Sequence, residues 1–375
     1  MVDQTNSGVS HLHPRPSFEL ADHPWPTHRD EIWRFAPLDK ARPLFGEDAD
    51  WTQVVLSIQA PKGVIVDSQA PGSSRLVPVD RPSAIAAASS WPATHVVLNN
   101  DVAEPVLIEV DAQSRQVVAN LVIDATAGSK GVVVLRHSGV GTCVGNVEIN
   151  VGEGADLTVV SLQDWDESAL HAGFHQGFVG ANAHYRHVAV TFGGSLVRLQ
   201  NNVSYDGPGG TAELFGLYLT DAGQHHEHRL FVDQNSPKTT SRVDYRGALQ
   251  GGGAHAVWVG DVLIRPTATG IDSYESNRNL LLTNGCVVDS VPNLEIETGD
   301  IIGAGHSSAT GHFDDEQLFY LQSRGLPPAV ARRLVVQGFL YDIIRHIGVA
   351  SVEERLRHAV DAELAKAEVA SNQEN

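Results

Sequence analysis

Residues 152–162 read GEGADLTVVSL, a glycine-containing corner followed by a run rich in valine and leucine. The same order of glycine, two residues, alanine and an apolar run recurs at Gly180, Gly209 and Gly251, at intervals of 28, 29 and 42 residues. Glycine permits a tight corner and alanine a small inward position, so each motif can open a new turn of a coil. The pattern predicts a β-solenoid, whose rungs bury their apolar faces against one another.

The chain around this stretch, from about residue 94 to 300, has the same texture. Short runs rich in Val, Ile and Leu alternate with glycine-containing corners, as in PVLIEV (105–110), GVVVLRH (131–137), RHVAVTF (186–192) and AVWVGDVLI (256–264). No helical pattern of useful length interrupts them, which predicts a nearly all-β region. The spacing leaves a β-sandwich with glycine-rich turns open, because the last interval differs from the other two.

The two flanking segments read differently. Residues 1–93 form a Pro- and His-rich mixed region, in which WPTHRDEIWRF (25–35) predicts a helix from Thr27 and SAIAAASSW (83–91) a short helix or loop. We therefore divide the chain into an N-terminal mixed region at 1–93, a β core at 94–312 and a helical domain at 313–375.

Three amphipathic helices are predicted in that last domain. Asp314 and Gln317 form a capping-box-like start, and Ser351 and Glu354 a second one, with Pro328 suited to a first helical turn between them. Together they carry more apolar surface than a small tail can bury against itself, which predicts a docking site.

The composition excludes several classes of protein. Hydrophobic residues make up 42% and charged residues 19%, enough to bury a core. Lys plus Arg number 26 against 45 for Asp plus Glu, a net charge of −19 that repels phosphate backbones, so we expect no nucleic-acid partner. Two cysteines, Cys143 and Cys286, suit a reducing cytoplasm. We see no signal peptide and no stretch of the roughly 20 apolar residues of a membrane span.

Histidines supply one candidate metal site. In GQHHEHRLF (223–231), His226 and His228 would share one face of a strand, while His225 points away. The pair could ligate a metal, or form a polar face or a subunit contact.

Other polar clusters carry weaker signals. The carboxylates Asp164, Asp166 and Glu167 could belong to a β-helical carbohydrate enzyme or to an ordinary acidic loop. Arg278, between two asparagines, reads as a satisfied edge or interface residue, and both cysteines read as small buried side chains. The chain has no P-loop, dinucleotide fingerprint or Gly-x-Ser-x-Gly elbow.

The densest polar stretch lies where the β region ends. GAGHSSATGHFDDEQLFYLQSRGL (303–326) combines His306 with Asp314, Asp315 and Glu316. The acids suit the positive end of a helix dipole, so we interpret them as helix-start residues. That interpretation does not explain His306.

This stretch resembles a known family. VPNLEIETGDIIGAGHSSATGHFDDEQLFYLQSRGL (291–326) is similar to the C-terminal signature of the SufB/SufD iron–sulfur assembly family. NRNLLL (277–282), QHHEHRLFVDQNSPKTTSRVDYRGAL (224–249) and PWPTHRDEIWRFAPL (24–38) match in the expected order. The chain length and the RNLLL form look more like SufD than SufB.

The resemblance implies a right-handed parallel β-helix core with helical N- and C-terminal regions. It implies a non-catalytic scaffold that pairs with a SufB-like subunit and binds a SufC-like ATPase, and it leaves room for a homodimer of the isolated chain. No cofactor is expected to bind stably to the chain alone. A transient iron–sulfur cluster is expected at the SufB interface, where the motif GHSSATG makes His306 the metal-facing residue.

Two positions depart from the family. Some SufD proteins carry a cysteine two residues before this histidine, where this chain has Ala304; Arg278 occupies the strand on which SufB carries its cluster-building cysteine. A cluster needs about four ligands, so this chain should supply a half-site at most. A β-helical carbohydrate enzyme and a homodimeric binding module without metal remain the alternatives.

Overall fold

Successive strands of the chain alternate between two sheets. The computed structural model describes residues 15–46, 49–312 and 315–373. The first strands are β1 (Thr52–Gln53), β2 (Leu56–Gln59), β3 (Val64–Gln69), β4 (Ala93–Leu98), β5 (Val106–Asp111), β6 (Gln116–Ala125), β7 (Lys130–Ser138), β8 (Thr142–Val151) and β9 (Asp156–Asp164). The later ones are β10 (Leu170–Val179), β11 (His184–Phe192), β12 (Leu196–Tyr205), β13 (Thr211–Thr220), β14 (His225–Gln234), β15 (Thr240–Leu249), β16 (His255–Ile264), β17 (Asp272–Leu281), β18 (Val287–Ile296) and β19 (Gly303–His312).

The pairing of these strands makes a parallel β-helix. One sheet runs β18-β16-β14-β12-β10-β8-β6-β4-β3, with β1 beside β6, and the other runs β19-β17-β15-β13-β11-β9-β7-β5-β2. From β4 and β5 onward, each strand pairs in parallel with the strand one turn later. The result is a solenoid of about eight turns, which confirms the predicted mainly β fold and excludes the sandwich.

The glycine–alanine motif marks the corners of this solenoid. Gly152 and Gly180 lie at stacked corners before β9 and β11, where a Cβ would come within 2.6 Å of the Ala127 nitrogen and 2.7 Å of the Val151 oxygen respectively. Gly251 instead precedes β16, at the corner that leads into the other sheet. The irregular third interval therefore reflects a change of corner rather than the end of the repeat.

Both outer faces of the solenoid are covered. The N-terminal segment packs Trp33, Leu44, Phe45 and Ile85 on one sheet, and the C-terminal helices cover the other. Strands buried on both faces read as continuous apolar runs rather than as alternating patterns. This double burial explains the Val-, Ile- and Leu-rich texture of the sequence.

Short helices occupy the two terminal regions. The α-helices are α1 (Leu38–Ala41), α2 (Arg81–Ala87), α3 (Asp315–Ser323), α4 (Pro328–Ile344) and α5 (Ala350–Gln373), and 3₁₀ turns span Leu20–Asp22, Glu31–Trp33 and Arg42–Leu44. In the described part of the chain, no helix has the length and apolar character of a membrane span.

Two predicted helix starts are wrong. Thr27 opens no helix, because its amide and hydroxyl both donate to the Asp30 carboxylate in a turn that leads only to a 3₁₀ turn. Ser351 does not cap α5, which begins at Ala350 with Glu353 accepting from the Gly348 amide. The predicted first cap at Asp314 and Gln317, like the acidic side chains beside it, lies outside the described residues.

The two ends of the solenoid differ. At the N-terminal end, the last strands of the two sheets are the short strands β2 and β3, of four and six residues, which turn back antiparallel on β5 and β4. At the other end, the last strands are β18 and β19, of ten residues each, which continue the parallel ladders and have a described neighbour on one side only. Val287, Ile296 and Ile302 are 51%, 47% and 78% exposed there. We call this second end, formed by β18 and β19, the open end.

Candidate functional site

His306 lies on β19 at the open end. It pairs in register with Glu275 on β17, the adjacent strand of the same sheet. Side chains at alternate positions share a face of a strand, and Ser273, Glu275, Asn277 and Asn279 form the buried series on β17. His306 therefore belongs to the inward-facing series, yet its side chain is 42% exposed because no further rung covers it.

Glu275 lies directly beneath this histidine. Its Oε1 atom is 3.7 Å from Nδ1 of His306, and its side chain is only 2% exposed. Burial, reinforced by the negative charge of Asp261, raises the pKa of Glu275 to about 9. Oε1 has no hydrogen-bond partner among the residues that the structure describes. No local pattern in the sequence points to this residue.

A ladder of polar side chains continues inward beside the pair. Asn277 donates to the Tyr218 hydroxyl over 3.1 Å, and Asn279 donates to Asn277 over 2.6 Å. Ser308 and Ser290 extend the ladder to the open end, with Ser290 donating to Asn277 over 2.7 Å. These groups have hydrogen-bond partners, whereas Oε1 of Glu275 does not.

The two positions that depart from the family lie on opposite sides of the strands. Ala304 packs against the interior core, in register with Ser273. Arg278 points outward, and its Nη2 donates to the Asp244 carboxylate over 3.3 Å. Its interpretation as a satisfied edge residue agrees with this ion pair.

The three neighbouring histidines have the predicted orientation, but both ring nitrogens of His226 are already hydrogen-bonded, to Thr220 and to Gly193. His226 lies inside, where Nε2 donates to the Gly193 carbonyl over 2.7 Å, and His228 stacks on Tyr218. His225 lies on the outer face beside Glu227. Across the described residues, no three His, Cys, Asp or Glu side chains converge as a metal site.

The remaining candidate residues, the acidic side chains and the two cysteines, do not form a common site. Asp164 accepts a 2.7 Å hydrogen bond from Arg136, while Asp166 and Glu167 are exposed on the following loop. Cys143 is fully buried in the core, where burial raises the pKa of its thiol, and Cys286 is partly buried. The structure thus gives the carbohydrate-enzyme alternative no convergent carboxylate groove among these residues.

Comparison with known proteins agrees with the fold. Residues 108–339 match the family model described as "SUF system FeS cluster assembly, SufBD core domain". An iron–sulfur cluster assembly SufBD family protein of Mycobacterium tuberculosis is 48% identical over 93% of this chain and 91% of its own length.

Other relatives carry related names. A SufBD family protein of Mycobacterium leprae is 47% identical over 93% of both chains. The iron–sulfur cluster assembly protein SufD of Escherichia coli is 24% identical over 85% of this chain and 84% of its own length. The model match covers more than half of the chain, and the nearer similarities span nearly all of it. The chain therefore belongs to the SufBD family of iron–sulfur cluster assembly proteins, as its motifs and its parallel β-helix had indicated.

Proposed function

We propose that this chain is a SufD-like, non-catalytic scaffold subunit that pairs with a SufB-like subunit and binds a SufC-like ATPase in the cytoplasm. The observation that carries the proposal is the open end, where two full-length parallel strands of ten residues each leave their edges unpaired, whereas the other end of the solenoid has only short antiparallel strands of four and six residues. Unpaired strand edges and exposed apolar side chains favour pairing with another chain. The open end also carries His306.

The chemistry of the open end suits a shared cluster. A neutral imidazole is a good iron ligand, and His306 is exposed enough to reach a partner. Cys143 lies inside the core on β8, and Cys286, at the corner just before β18, is partly buried and contacts the Gly251 carbonyl. A cluster with about four ligands must then take its thiolates from the SufB-like subunit. The cluster would be assembled between the subunits as cargo, and the chain alone would hold none stably.

The C-terminal helices cover most of their apolar surface within the chain itself. Their apolar stripe was predicted to dock a partner, but Val336, Leu340 and Val360 bury it against the outer face of the solenoid. Two aromatic side chains of α3 are left exposed, Phe319 at 73% and Tyr320 at 57%. We propose this smaller patch as the contact for the SufC-like ATPase, which would supply the nucleotide chemistry that a chain without a P-loop lacks.

Cluster loading by the assembled complex tests the proposal. The complex of this chain with its SufB-like and SufC-like partners is prepared with native His306 and with His306→Ala, and iron and sulfide are measured after reconstitution. We expect the variant to load less cluster, because one ligand is missing, while the subunits assemble in the same ratio. His312→Ala, which removes an exposed histidine from the same strand, is the matched control.

Equal loading by the two complexes would make His306 a structural residue and refute its role at the cluster. Failure of the chain to associate with a SufB-like subunit would refute the scaffold itself. A stable cluster on the isolated chain would contradict the half-site. A homodimer of the isolated chain through the same open end is compatible with the proposal, since the SufB-like subunit would displace the second copy.

A further inference from the structure

The buried carboxyl group of Glu275 is unexplained by the function proposed so far. We propose that Glu275 and His306 together form a two-ligand site for ferrous iron at the open end of the β-helix. This inference rests on the proposed function and deepens it. It adds a second metal ligand from this chain, and it assigns the chain a single bound ion before any cluster is assembled.

The distance between the two side chains suits one bound ion. Nδ1 of His306 and Oε1 of Glu275 are 3.7 Å apart, too far for a hydrogen bond. Bonds from first-row metal ions to nitrogen and oxygen are about 2.1 Å long. With an ion at that distance from both atoms, the nitrogen–ion–oxygen angle would be about 120°. That angle lies near the tetrahedral value and requires no movement of either strand.

One oxygen of the Glu275 carboxyl group is buried and unpaired among the described residues. Oε1 lacks a hydrogen-bond partner among the described residues, although Asn277, Asn279 and Ser290 beside it are hydrogen-bonded. Within the described chain, His306 is the one basic side chain that lies within 4 Å of this carboxyl group. The charged form of a buried carboxyl group is costly without compensation, and a cation that replaces its proton supplies that compensation.

The floor of the site is shaped around this carboxyl group. A Cβ added at Gly260 on β16 would come within 2.4 Å of Oε2 of Glu275 and within 2.4 Å of the Trp258 ring. Only a residue without a side chain leaves that space, so the glycine lets the carboxylate lie against the backbone while Oε1 faces His306. Oε2 of Glu275 thus packs against Gly260 and Trp258, and Oε1 faces the open end of the solenoid.

The ligand set points to a single ion rather than a cluster. One imidazole and one carboxylate form a mixed nitrogen and oxygen set that suits Fe²⁺, whereas clusters require several thiolates, and the one thiol near this end, Cys286, contacts the Gly251 carbonyl. Two protein ligands leave several coordination positions free. Those positions can accept a partner's thiolate or sulfide when the open end meets the SufB-like subunit.

Anaerobic calorimetric titration of the full-length chain with Fe²⁺ tests the inference. We expect one ion per chain, and at least tenfold weaker binding for both Glu275→Gln and His306→Ala. Glu297→Gln, which alters an exposed carboxyl just after β18, is the matched control and should bind as the native chain does. Thermal melting confirms that each variant is folded, and Glu275→Asp, which draws the carboxylate back by one methylene, replaces Glu275→Gln if that variant fails to fold.

Native affinity in Glu275→Gln would overturn the inference, as would the absence of any Fe²⁺ site in the native chain. The proposed function fails separately. If His306→Ala lowers cluster loading by the complex while Glu275→Gln changes neither loading nor Fe²⁺ affinity, the scaffold proposal stands and the two-ligand site falls. If both variants lose Fe²⁺ but load cluster normally, the site stands and its role in assembly falls.

Discussion

At the scale of single residues, one buried guanidinium holds the N-terminal segment on the solenoid. Arg198 on β12 lies 2.5 Å from the Asp80 carboxylate and 3.2 Å from Glu227, and stacks over Trp33. Burial favours the neutral form of Glu227, but Arg198 and the neighbouring basic groups lower its pKa to about 2. In a buried group of charges that compensate one another, removal of one charge leaves the others uncompensated and lowers the stability of the fold.

We predict that Arg198→Met lowers the free energy of unfolding by about 3–5 kcal/mol, because the buried Asp80 loses its compensating charge and Glu227 keeps only Arg229 and His225. Urea unfolding measures the change. Arg34→Met is the control, since the pair of Arg34 with Glu31 is exposed and should contribute about 1 kcal/mol or less. Similar small losses in both variants would show that Arg198 does not clamp the segment.

The site residues differ in how visible they are in the sequence. His306 stands out in the sequence because its motif, GHSSATG, is contiguous. Glu275 does not, because it lies 31 positions earlier, and only the register of β17 and β19 brings the two side chains together. Its burial also depends on Gly260 of the other sheet. Two residues that meet only because they lie one turn of the solenoid apart leave no signal in the local sequence.

At the scale of elements, α4 and α5 act as the cover of one sheet. Leu340, Ile343 and Ile344 are fully buried among outward-facing residues of the solenoid, and Arg246 on β15 fixes α4 by donating to the Phe339 carbonyl over 3.0 Å. The helices therefore stabilise the rungs beneath them, and removing them would expose a broad apolar face.

Leu340→Ala should lower the free energy of unfolding by about 2–5 kcal/mol, because it opens a cavity between α4 and the sheet. Leu334→Ala on the same helix is the control and should cost far less, since Leu334 is 44% exposed. Chemical denaturation of both variants gives the comparison. Equal effects would mean that α4 does not pack on the solenoid as described.

Strands and helices were predictable from the sequence where a local pattern alone determines them. The strands follow from apolar runs bounded by glycine corners, and both faces being buried strengthens that signal. The helix starts failed where tertiary contacts decide the turn: Thr27 is held by Asp30, and Glu353 rather than Glu354 reaches back to the Gly348 amide. The burial of the helical stripe was missed because its partner surface is made by strands far away in the chain.

At the scale of the whole molecule, the core of the solenoid contains uncharged histidines. Burial lowers the pKa of His171 and His226 to about 4, and that of His187 and His228 to about 3. The unfolded chain takes up protons on these groups near pH 6.5. Their contribution to stability is therefore complete above pH 6.5 and is lost as the pH falls toward 4 and 3.

The free energy of unfolding should accordingly fall between pH 6.5 and 4, with each histidine adding up to about 1.4 kcal/mol per pH unit. His187→Gln should make this dependence shallower by about one proton, whatever it does to the stability at neutral pH. Urea midpoints measured across that range provide the slopes. An unchanged slope in the variant would show that His187 is charged, or solvated, in the folded chain.

The central claim is that the open end, formed by β18 and β19, is the surface on which a SufB-like subunit completes the solenoid. Hydrogen exchange of backbone amides tests it most directly, on the full chain alone at a concentration where light scattering shows a monomer and then in complex with that subunit. The account predicts new protection of amides in 287–312, with the antiparallel N-terminal end unchanged. Protection confined to other parts of the chain, with β19 exchanging as it does in the monomer, would contradict it.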